Sequence, residues 1–137
     1  WYARVGSDQA LEPWLDEALA TYSEALYFER FHPEHLSWWW ENRVDRYQPK
    51  GWVDSTTSIP GGYTAYRDAV YLNGAKFLQS LRELVGYQAF TAALKQYVLD
   101  NTLKIASGSD FFKAVRMNTD ADLAPLLKQF FQNPPSY

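Results

Sequence analysis

Cysteine is missing from all 137 residues, which excludes disulfides and thiolate metal sites within the chain. That lack fits either side of a membrane and leaves the compartment open, with a lean to an extracytoplasmic one. No apolar run approaches the ~20 residues that a transmembrane helix needs. Charge of one sign is lacking too. Thirteen basic residues face 16 acidic ones, the net charge is -3 and the pI is near 5.3. No basic stripe runs along the chain, so a nucleic-acid partner is excluded. The chain opens on Trp1 rather than an initiator methionine, and Trp1-Tyr2-Ala3-Arg4 lacks the pattern of a signal peptide. A piece of a longer protein is the expectation.

What is abundant is apolar and aromatic. Hydrophobic residues make up 47% and aromatics 18%, with 6 Trp and 10 Tyr, too much for a disordered segment. The length suits one domain, residues 1–137, able to bury a real core. After a lead-in loop over residues 1–12, a first helix is expected from Pro13 to Phe31, with proline at the favoured first position. A second opens at Pro33 and runs through Trp38-Trp39-Trp40 to Tyr47. Residues 48–65 hold Pro49, Gly51, Pro60, Gly61 and Gly62 and read as a long surface loop. Apolar spacing then gives helices over 66–85 and 87–100, separated by a Gly86 cap. Ser107 to Asp110 caps a short helix carrying Phe111 and Phe112, and a last helix uses Leu123 to Phe131. No strand is expected. The fold class is all-α, a bundle of about six helices.

The segment from Pro13 to Glu24 carries the chemistry. At 3.6 residues per turn, Glu17, Thr21 and Glu24 share one stripe, with Leu15, Ala18, Leu19 and Tyr22 around it. A carboxylate held against an apolar face is costly unless it is paired, and a metal ion, an arginine or a helix terminus can each be the partner.

Trp14-Leu15-Asp16-Glu17-Ala18-Leu19-Ala20-Thr21-Tyr22-Ser23-Glu24 resembles the W-L-N-E-G-x-A-x-Y-x-E segment of gluzincin zinc metallopeptidases of the aminopeptidase N type. Tyr66-Arg67-Asp68-Ala69-Val70-Tyr71-Leu72-Asn73-Gly74-Ala75 resembles that family's Y-x-x-x-x-Y-x-K-G-x segment, in the right order. The resemblance implies the helical C-terminal subdomain of a thermolysin-like catalytic domain. It makes Glu17 the third zinc ligand and Tyr71 the donor to the oxyanion of the tetrahedral intermediate. Tyr66 would line the substrate site, and Glu24 would stand behind the ligands, orienting a histidine or a nearby basic residue. Counting back from Glu17 puts the second histidine of H-E-x-x-H three positions before Trp1, so both histidines and the general base would lie upstream. Zn2+ is then the cofactor of the parent protein, with none held tightly by this part alone. The implied partners are a peptide substrate and the N-terminal half of the same catalytic domain. Asp16, Ala18 and Asn73 depart from the usual Asn, Gly and Lys, and Ala18 would remove a little backbone access near the substrate amine.

Other features have plainer readings. His32 and His35 form H-x-x-H around Pro33, a poor geometry for a metal, and are expected to be solvated. Three consecutive tryptophans on a helix span about 200°, so Trp38, Trp39 and Trp40 cannot all face one core. Asp120 and Asp122 read as capping of the last helix. The rival to a peptidase is a non-catalytic helical module that binds a protein or glycan through this aromatic surface.

Overall fold

The computed structural model describes residues 4–135, so the reading of Trp1 lies outside the described residues. Helix α1, Trp14–Phe31, buries Trp14, Leu15, Ala18, Leu19, Tyr22 and Ala25, a stripe at helical spacing. Pro13 precedes it, and Asp16 and Glu17 sit in its first turn, where the positive end of the helix dipole favours carboxylates. The His32 amide donates to the Phe28 carbonyl at 2.8 Å, and Pro33 turns the chain.

The second rod is not one regular helix. A 3₁₀ turn, Pro33–His35, leads into α2, Leu36–Trp39, then a π turn, Trp40–Val44, and a second 3₁₀ turn, Asp45–Tyr47. Five-residue spacing inside a π turn lets Trp39 and Val44 both be buried, although a regular helix would rotate them well apart. The third rod begins at Gly62 rather than at Tyr66. Gly61 and Gly62, with φ of 101° and 67°, end the loop in a left-handed conformation that suits glycine. From there α3, Gly62–Tyr66, continues through a π turn, Arg67–Leu72, into α4, Asn73–Val85. After Gly86 come α5, Tyr87–Asn101, then α6, Gly108–Arg116, and α7, Ala124–Phe130. The six rods among the described residues make the chain an all-α bundle. One strand pairing corrects the expectation of none: β1, Gly6–Ser7, lies parallel to β2, Ile105–Ala106. It is only two residues long, too short to leave a period-2 signal, and it ties the lead-in segment to the end of α5.

Helices α1 and α4 pack together, and α5 packs on α6. The core is centred on Trp14, whose ring meets Phe77, Phe111, Phe112 and Phe131 at centroid separations of 6.1, 5.4, 5.9 and 5.4 Å. Such aromatic contacts add about 0.5–1.5 kcal/mol each beyond burial. Ser107 and Asp110 form a reciprocal capping box at the start of α6, and Asp122 accepts a bond from the Ala124 amide at the start of α7.

The long loop spans 48–61 and is pinned rather than loose. The Val53 amide donates to the Phe130 carbonyl at 2.9 Å, and Asp54 accepts bonds from the amides of Gln132 and Asn133. Asn73, where lysine is common in the resembling segment, donates from its amide to the Gly51 carbonyl at 2.8 Å. No helix among the described residues is long and apolar enough to cross a membrane.

Candidate active site

The close approach of α1 to α4 places the site. A methyl group on Gly74 would stand 2.5 Å from the Ala18 Cβ, so the Gly74 backbone packs directly on the Ala18 methyl there. Glu17 is next to Ala18, and Tyr71 is one turn before Gly74, so this contact sets carboxylate and phenol side by side. Ala18 itself is fully buried. Its methyl is taken up by the Gly74 contact.

The π turn completes the arrangement. In a regular helix Tyr66 and Tyr71, five residues apart, would point about 140° away from each other. With i→i+5 bonding over Arg67–Leu72 they become neighbours on one face. Their rings meet edge to face, with centroids 5.7 Å apart. Single π turns inside helices recur at functional sites.

Glu17, Tyr66 and Tyr71 are all half-buried. Tyr71 is raised above the ordinary phenol value by burial first, then by hydrogen bonding of its hydroxyl to the Glu17 carboxylate and by that carboxylate's charge. Tyr66 is raised by burial, then by the charges of Glu17 and Asp16. No ion-pair partner takes Glu17 among the described residues. Arg43, Arg67 and Arg82 pair instead with Glu24, Asp68 and Glu29. Glu17 is therefore a carboxylate with free accepting capacity, in front of two phenols.

Glu24 stands two turns further along α1 and is occupied. It accepts from Arg43 Nε at 3.0 Å and Nη2 at 3.2 Å, and from the Trp39 indole at 3.1 Å. Arg43 is a basic partner of the kind expected for Glu24. His32 and His35 are exposed, with Glu34 Oε1 at 3.8 and 3.7 Å from their nearest nitrogens. No cluster of three or more metal-ligating side chains occurs among the described residues. In the tryptophan run Trp39 is buried, while Trp38 is 58% exposed.

Sequence reasoning placed Tyr63 in a loop, whereas it lies on a helix. It lies one turn before Tyr66 on α3, is 71% exposed, and is electrostatically coupled to both Tyr66 and Tyr71. The signal that could have found it is Y-x-x-Y following Gly61-Gly62, hidden by assigning residues 48–65 to a loop.

Residues 5–130 match the Peptidase family M1 domain, and the chain belongs to that family. No curated protein matches the sequence. Among solved structures the chain is similar to an M1 zinc metallopeptidase from Deinococcus radiodurans, at 24% identity and a TM-score of 0.66, over 93% of this chain and 28% of that one. A point mutant from the same organism, bound to a Tyr-Ser-Ala substrate, gives 24% identity and a TM-score of 0.67 over 93% of this chain and 29% of that one. A two-domain M1 zinc metallopeptidase mutant bound to L-tryptophan gives 24% and 0.64, over 95% of this chain and 31% of that one. The chain thus spans less than a third of the length of these structures.

Proposed function

We propose that this chain forms one wall of the active-site cleft of a zinc-dependent peptidase, of the aminopeptidase type, that hydrolyses peptide bonds. The observation that carries this reading is the half-buried Glu17 carboxylate, free of any ion-pair partner among the described residues and beside the Tyr71 phenol, which its charge raises. Carboxylate oxygen is a normal zinc donor, and a catalytic site combines three protein ligands with one open position. Glu17 fits as one of the three, and two histidines from the upstream half would complete the set. When bound, the ion supplies Lewis-acid polarisation and a water of lowered pKa.

The chain's own residues do the rest on this wall. Tyr71, a neutral phenol at pH 7, donates its proton to a hydrogen bond with the oxygen on which charge develops. Tyr66 holds that ring edge to face and lines the substrate side. Glu24 fixes α2 and its π turn against α1 through Arg43 and Trp39, and so supports the helix that carries Glu17. In the intact parent protein, Glu17→Ala removes peptidase activity on this reading. A helical module docking a protein or glycan is the second reading. It is favoured by exposed Trp38 beside a groove of about 500 Å³ lined by Tyr27, Phe28 and Trp39. Peptidase activity retained by Glu17→Ala would favour that module.

A further inference from the structure

We propose that the apolar patch of Leu94, Val98, Leu99, Leu103 and Ile105 is an interface, covered in the intact parent by an apolar, acid-flanked segment of the upstream half of the same catalytic domain. The inference rests on the peptidase reading, which requires that half, and assigns the surface that holds it.

The patch is built for a contact that this chain does not supply. Residues at i, i+3 and i+7 share a helix face, so Thr91, Leu94 and Val98 line one side of α5. With Lys95 and Leu99 they bound an open groove of about 460 Å³. Beyond it the apolar character continues, and Leu99, Leu103 and Ile105 are 74%, 81% and 78% exposed. Single exposed apolar residues are ordinary, but a group of them beside a groove marks an interaction site. Leu103 adds a second sign. It follows Thr102, the C-cap of α5, with a left-handed φ of 62°. Glycine is usual at that position, because any side chain there costs free energy. A leucine in this strained backbone, left in water, gains nothing from the chain itself.

The route of the backbone points to the occupant. The Leu103 amide donates to the Arg4 carbonyl at 2.6 Å, and the Gly6 amide donates to the Lys104 carbonyl at 2.8 Å. Between these bonds β1 pairs with β2, Gly6 opposite Ile105. The upstream half, which joins through Arg4, therefore reaches this part of the molecule directly beside Leu103 and Ile105. Charge narrows the chemistry of the segment. Arg4, Lys95 and Lys104 bring positive charge to this region against Asp100 alone, although the chain as a whole carries -3. None of those three cations is ion-paired among the described residues. Acidic side chains flanking an apolar stretch would complement both the rim and the groove.

The test uses the intact parent protein. With a photoreactive benzophenone amino acid in place of Leu103, illumination followed by peptide mass spectrometry should join position 103 to a peptide that precedes Arg4 in the same molecule. Leu99→Gln supplies a second readout, since glutamine and leucine have similar helix propensity and an uncovered position would leave the thermal midpoint unchanged. Under the proposed contact the midpoint should fall by about 2 °C or more. Cross-links to a second copy or to residues after Tyr137, no cross-link at all, or an unchanged midpoint for Leu99→Gln would overturn the proposal. An upstream cross-link in a parent that cleaves no peptide would leave the interface standing and overturn the peptidase reading instead.

Discussion

Gly74→Ala is the perturbation whose consequences the structure defines most sharply. The added methyl would lie 2.5 Å from the Ala18 Cβ and 3.4 Å from its Cα. Carbon atoms rest about 3.5–4.0 Å apart, so α1 and α4 must separate by roughly 1 Å or more. Overpacking of this kind costs about 1–3 kcal/mol, while replacing a helical glycine by alanine returns about 0.8–1 kcal/mol. The net expectation is a change between about zero and a loss of about 2 kcal/mol, where propensity alone predicts a gain. Ala18→Gly removes the opposing methyl. In the double variant the two changes should therefore be non-additive, with a favourable coupling of about 1–2 kcal/mol. Urea unfolding at constant m-value measures all four corners of the cycle. A Gly74→Ala protein stabilised by the ~0.8–1 kcal/mol that propensity alone gives, or a strictly additive cycle, would refute the close Gly74–Ala18 contact that sets Glu17 beside Tyr71.

Two further predictions follow from the site and its surroundings. Tyr71→Phe in the intact parent should lower kcat by ~10²–10³ with metal content unchanged, since one oxyanion donor is lost and no ligand is; unchanged kcat would remove Tyr71 from the chemistry. Acid should destabilise the fold through Glu29 and Asp110, whose values the Arg82 guanidinium and the Ser107 amide respectively hold below the ordinary 4.5 and 3.8. A depressed folded-state value means that this stability is fully present above those ordinary values and is lost as pH falls below them. The urea midpoint should drop between pH ~5 and ~3, and Arg82→Ala should flatten part of that drop.

Much of this architecture is legible in the amino-acid order, and what is not has identifiable causes. Pro13, the spacing from Trp14 to Ala25 and the stop at His32-Pro33 mark α1 because each acts locally. The capping box at Ser107 and the turn at Gly86 are local in the same way. The proposed roles of Glu17, Tyr66 and Tyr71 come from resemblance. Periodicity alone would have set the two tyrosines on different faces, because the π turn that joins them leaves no mark in a 100° repeat. The loop over 48–61 is ordered by bonds to Phe130, Gln132 and Asn133, some 78 residues away in the case of Asp54 and Gln132, which no local pattern reveals. The helical position of Tyr63 was missed for a related reason. A glycine pair that reads as loop is here the start of a helix, since both glycines take left-handed backbone and then release the chain into α3.

The central claim is that the Glu17 carboxylate completes a zinc site. The most direct measurement is the zinc-to-protein ratio of the intact parent, unmutated and as Glu17→Ala, after equal dialysis against a chelator. The account predicts near-stoichiometric zinc in the first and a large loss, together with peptidase activity, in the second. Equal zinc in both would contradict it.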